Sequence, residues 1–124
     1  MENQAHFTST RFVLSVLDLE ESAEYYRDKL GFEDVWSGEG WHFVKRGNCF
    51  IMLGECPNDV SAKDISTHSY FAYILVDHID DFYASCKEKE VEIIMDIASR
   101  DWGMREFGIR TVDGHRIMFG SPWK

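Results

Sequence analysis

A chain of 124 residues, 44% hydrophobic and 28% charged, holds one globular domain with its own core and excludes two full-sized domains. Its 13 Lys and Arg against 22 Asp and Glu give a net charge of −9, so the basic footprint that nucleic acid or an anionic membrane demands is missing. No apolar run is long enough to cross a bilayer, the opening Met-Glu-Asn-Gln-Ala-His has neither a basic nor an apolar signal region, and the three cysteines show no Cys-x-x-Cys spacing, so a cytoplasmic protein with reduced thiols is expected.

In chain order, "RFVLSVL" from Arg11 predicts a strand that runs straight into a helix over "DLEESAEYYRDKLGF". Asp18 is placed to cap that helix, with Glu21 at the third helical position. Leu19, Ala23, Tyr26 and Leu30 form its apolar stripe, and Gly31 suits a left-handed terminus. "FEDVWS", "GWHFVKR" and "NCFIML" follow as strands, separated by Ser-Gly-Glu-Gly and Gly-Asn turn signals.

The second half repeats the pattern. "SYFAYILV" reads as a strand, Asp77 as the opening of a helix, and Ile79, Phe82, Tyr83 and Cys86 as its buried stripe. Asp77 follows Asp18 by 59 residues, and Val91 and Ile94 follow Phe32 and Val35 by the same interval. "VEIIMDI", "MREFGIRT" and "HRIMFGS" supply three more strands. The chain is therefore expected to be a single α+β domain over residues 1–124. It is built of two βαβββ modules, about 10–55 and 69–121, joined by a polar linker at about 56–68.

This pattern, with "VLDLEESAEYYRDKLGF" in one copy and "WGMREFGIRTVDGHRIMFG" in the other, resembles the vicinal oxygen chelate superfamily of glyoxalases, extradiol dioxygenases and bleomycin resistance proteins. The second stretch is closest to the form seen in bacterial bleomycin resistance proteins. The resemblance implies two modules in a curved mixed sheet, paired with a second chain in a homodimer. Ligand grooves would then lie at the subunit interface.

The metal enzymes of that superfamily place His and Glu on four strands. The matching positions here fall on Arg11, Met52, Phe71 and Met118. A guanidinium repels a divalent cation and a thioether is a soft, poor donor for Zn²⁺, Ni²⁺, Fe²⁺ or Mn²⁺. A metal-free cleft without cofactor is expected. No histidine has paired ligand spacing, His68 being the one closest to a candidate position, and Cys49 is expected to face the helix layer. No catalytic residue is assigned.

What remains is an aromatic inventory, 15% of the chain. Strand alternation puts Trp41 with Phe43, Phe50 with Met52, and Phe71 with Tyr73 on inward faces. Arg11, Trp41, Phe43, Met52, Phe71, Tyr73, Trp102, Met104, Phe107 and Met118 are the expected ligand-binding residues, with Glu39 and Glu106 placed to offset Arg11. The function that follows is metal-independent sequestration of an aromatic or cationic small molecule, bleomycin-like by the resemblance and so tied to antibiotic resistance. A glyoxalase- or lyase-like enzyme acting on a small metabolite is the alternative.

Overall fold

A computed structural model describes residues 4–6, 8–65 and 69–123. The first module runs β1 (Phe12–Val16), α1 (Leu19–Leu30), β2 (Glu33–Gly38), β3 (Trp41–Arg46) and β4 (Cys49–Glu55). A 3-10 turn at Ala62–Asp64 interrupts the connecting segment. The second module runs β5 (Ala72–Leu75), α2 (Ile79–Glu88), β6 (Glu92–Ser99), β7 (Met104–Arg110) and β8 (Arg116–Pro122). Each module folds into its own four-stranded sheet, in the orders β1-β4-β3-β2 and β5-β8-β7-β6. The first strand of each pairs parallel with the last, and the remaining pairings are antiparallel. This is the two-module mixed-sheet architecture that the repeat implies.

Local chemistry explains the elements. The Asp18 carboxylate accepts a hydrogen bond from the Glu21 amide at 3.0 Å, satisfying one of the free donors at the start of α1. Gly31 ends the helix in the left-handed region at φ 73°, where a side chain would be strained. The second helix starts differently. Asp77 does not occupy its N-cap position; His78 does, at φ 49° and without a capping side-chain bond. The interval between the modules is thus 60 residues through the first strand and helix start (Leu19 to Ile79), and 59 only after the helices, because α2 is shorter than α1. The strand expected from Ser69 is also shorter, since the chain bends at Phe71 before pairing begins at Ala72.

One face of each sheet carries the core. Leu14, Val16, Val44, Ile51 and Leu53 of the first sheet, and Phe107, Ile109, Ile117 and Phe119 of the second, join Tyr26 and Leu30 of α1 and Cys86 of α2 in a single buried cluster. Each such fully buried large side chain contributes about 1.5–3 kcal/mol of transfer free energy. Polar contacts tie the modules together: Ser22 on α1 donates to the Asp113 carboxylate at 2.8 Å, and the Lys29 ammonium donates to the Lys89 carbonyl at 2.5 Å. Burial pushes the Asp113 carboxyl above its ordinary value, and the Ser22 hydroxyl opposes the shift. No helix among the described residues is long and apolar enough to cross a membrane.

Candidate ligand-binding faces

With one face of each sheet committed to helices and core, the other face stands open. On the first sheet the register lines up Val13, Met52, Phe43 and Trp36 as one row across all four strands. A second row holds Ser15, Gly54, Trp41 and Gly38. Gly54 is needed there, because a Cβ on it would stand 2.9 Å from the Trp41 ring that lies across it. Trp36 and Trp41 both pack against Phe43, with ring centroids 5.0 and 6.2 Å away. Val13 and Trp36, at the two ends of the row, are 62% and 53% exposed, far more than a core position tolerates, so the described residues leave this row open to solvent. At one end of the face the Arg11 guanidinium lies 4.9 Å from the Phe50 ring centroid and the Lys45 ammonium 5.8 Å from it.

The second sheet is built alike. Tyr73, Met118, Gly108 and Met95 form one row, and Leu75, Gly120, Glu106 and Ala98 the next. Met104 falls on the same side of β7 as Glu106. The Tyr73 hydroxyl donates to the Glu106 carboxylate at 2.6 Å, while Arg100 Nε stands 3.9 Å from the other carboxylate oxygen. Loss of hydration, and then the bond to Glu106, push the Tyr73 phenol up to about 12. Trp102 sits at the tip of the β6–β7 hairpin beside Gly103, whose φ of 90° favours glycine.

The expected site residues therefore divide. The first sheet brings Trp41, Phe43 and Met52 together, with Arg11 at the margin over Phe50. Tyr73, Met104 and Met118 share the open side of the second sheet, and Trp102 is exposed at its hairpin tip. Phe107 is a correction. It is fully buried on the opposite face, against Phe82, Tyr83 and Phe119. Alternation is the reason: on a regular strand, residues 104 and 107 point to opposite sides, and Phe107 shares its side with Ile109. Phe71 is a second correction, because the bend before β5 turns it edge-on to Phe12 and His115.

Glu106, expected to offset Arg11, instead lies 5% exposed on the second sheet beside Tyr73 and Arg100, while Arg11 lies over Phe50 on the first and Glu39 sits in the exposed β2–β3 turn. Val13, Trp36, Met95 and Tyr70 were not foreseen. Val13, Trp36 and Met95 stand in register with Met52, Phe43 and Gly108, a signal that the shifts in β2 and β6 obscure, while Tyr70 precedes β5, where alternation gives none.

The four positions at which the resemblance would place metal ligands do not suit a divalent transition metal here. Arg11 is stacked on Phe50, Met52 and Met118 offer thioethers, and Phe71 is hydrocarbon packed on Phe12. Glu106 already accepts from Tyr73, and no cluster of three His, Cys, Asp or Glu forms among the described residues. His68 lies outside the described residues. Cys49 is half-buried against the core, and burial pushes its thiol up, away from a reactive thiolate.

A cleft of about 780 Å³ opens between the modules, with Phe12, Phe32 and Phe82 in its walls, and it shares Tyr73 and Leu75 with the open side of the second sheet. Its cation is already engaged, since Arg46 donates to the Leu30 carbonyl at 2.7 Å and lies over the Phe82 ring.

Comparison with known proteins agrees with this geometry. Metallothiol transferase FosB of Staphylococcus epidermidis is 28% identical over 107 residues, spanning 83% of this chain and 75% of the relative. A glyoxalase/bleomycin resistance protein/dioxygenase from Alicyclobacillus acidocaldarius shares the fold with a TM-score of 0.79 at 15% identity, over 94% of this chain and 92% of that one. The bleomycin resistance determinant encoded on transposon Tn5 has a TM-score of 0.77 at 20% identity, over 95% and 100% of the two chains. The model of the glyoxalase/bleomycin resistance protein/dioxygenase superfamily matches residues 5–119, nearly the whole sequence. The chain belongs to that superfamily.

Proposed function

We propose that this protein binds and sequesters an aromatic or cationic small molecule without a metal, in a groove formed when a second copy of the chain covers its open sheet faces. The observation that carries this reading is the uncovered row Val13, Met52, Phe43 and Trp36, with Trp41 beside it. Flat aromatic side chains provide large contact area and stacking, and the face of a Trp ring also attracts cations. Among the described residues neither open face offers a nucleophile set against a base or a set of hard metal donors, which supports a guest that leaves intact. The net charge of −9 supports a cationic guest by drawing it toward the surface.

The relative named as a metallothiol transferase favours an enzyme of the same fold. Arg11, Met52, Phe71 and Met118 weigh against that chemistry, because none is a hard donor. Thermal denaturation tests the proposal. Bleomycin is expected to raise the melting temperature in a saturable way, and a chelator to leave it unchanged. A melting temperature that falls on chelation and is restored by one divalent metal would overturn it.

A further inference from the structure

The open face of the second sheet has a feature that general aromatic stacking does not require. Glu106 is 5% exposed, yet it projects on the side away from the helices, between Gly120 of β8 and Ala98 of β6. Two tyrosines lie across glycines beside it. A Cβ on Gly120 would collide with the Tyr73 hydroxyl, and a Cβ on Gly108 would stand 2.8 Å from the Tyr70 hydroxyl. Both glycines leave the room that the rings occupy. Tyr73 donates to Glu106 at 2.6 Å while remaining 46% exposed, so its hydroxyl ties the buried carboxylate to a ring on the open face. Met118 and Met95 flank Gly108 in the same row.

We propose that Tyr73 and Tyr70, with Glu106 held at the Tyr73 hydroxyl, form a cation-binding platform that selects guests carrying an ammonium group. This rests on the binding reading above and names the chemical class that the second sheet recognises. The physics is additive. A phenol face attracts a cation through its quadrupole, and the attraction grows when the site is desolvated. A carboxylate withdrawn from water is poorly screened, so its charge reaches a cation seated on the neighbouring ring. Glu106 acts through Tyr73 and is a positioning residue. Arg100, 3.9 Å from the second carboxylate oxygen, offsets part of that charge and limits the selectivity.

Tryptophan fluorescence titrations with 2-naphthylmethylammonium and its uncharged counterpart 2-naphthylmethanol test this. The wild-type chain is expected to bind the ammonium at least about tenfold more tightly, a difference of about 1.4 kcal/mol. Glu106→Gln is expected to bring the two affinities within about twofold while keeping the affinity for the alcohol, and Arg100→Gln to widen the gap. Tyr73→Phe, which keeps the ring and loses its hold on Glu106, is expected to narrow it. Equal wild-type affinities, or a preference that survives in Glu106→Gln, would overturn the platform and leave the binding reading standing. Should Glu106→Gln not fold, an unchanged preference in Arg100→Gln overturns it instead. Failure of both compounds to bind the wild-type chain would remove the binding reading together with the platform.

Discussion

Trp102 and Phe107 lie five residues apart and do opposite work. Trp102 is 69% exposed at a hairpin tip, so Trp102→Ala is expected to leave the melting temperature nearly unchanged. If it stacks on the guest, its loss costs about 1–3 kcal/mol of affinity. Phe107→Ala opens a cavity beneath α2 and is expected to cost about 3–5 kcal/mol of stability in chemical denaturation. Equal destabilisation by the two substitutions would contradict this assignment of faces. Asp113 gives a pH-dependent case. Its carboxyl is raised in the folded state, chiefly by burial, so the ionised form costs stability at neutral pH. That cost disappears as pH falls through the raised value. Asp113→Asn keeps an acceptor for Ser22 and is expected to raise the melting temperature at pH 7, with the gain shrinking in the carboxylate range. A variant less stable than wild type at pH 7 would show that the Ser22 bonds outweigh the burial cost. At this scale the sequence was legible where alternation was applied strictly, as for Trp41, Phe43 and Met52. It misled at Phe107, where a large aromatic in a ligand-like motif was given the wrong side of its strand.

Helix α1 is the element most completely written in its sequence. Asp18, the apolar stripe to Leu30 and Gly31 each do there what their chemistry favours. Asp18→Ala removes the bond to the Glu21 amide and is expected to destabilise the protein by about 1 kcal/mol in denaturant titration. A change near zero would mean that the helix end is held by tertiary contacts instead. Helix α2 was legible as a helix but not in its start. Asp77 resembles a cap in sequence, yet the connection from β5 to α2 is one residue longer than that from β1 to α1, and His78 takes that place in a left-handed conformation. The strands were legible because turn residues bracket each apolar run. Pairing and register were not, since they depend on contacts between distant segments and on the irregularities in β2 and β6.

On the scale of the whole molecule, the two modules spend their helices and one sheet face each on a shared core, and the opposite faces carry Trp36, Trp41, Tyr73 and Leu75 into solvent. An apolar surface of this extent is normally covered by a partner, and a second copy is the simplest one. Light scattering at micromolar concentration is expected to give the mass of a dimer, and a monomer mass would contradict a groove shared between chains. The acidic surface adds a salt dependence: affinity for a cationic guest is expected to weaken as ionic strength rises. The central claim is that the groove binds its guest without a metal, and titration of tryptophan fluorescence with metal-free bleomycin tests it most directly. The titration is run once in chelator and once each with Zn²⁺, Ni²⁺, Fe²⁺ and Mn²⁺. Saturable quenching with the same affinity in chelator as with each metal is expected; absence of quenching in chelator up to millimolar bleomycin, with binding restored by one of the metals, would contradict the claim.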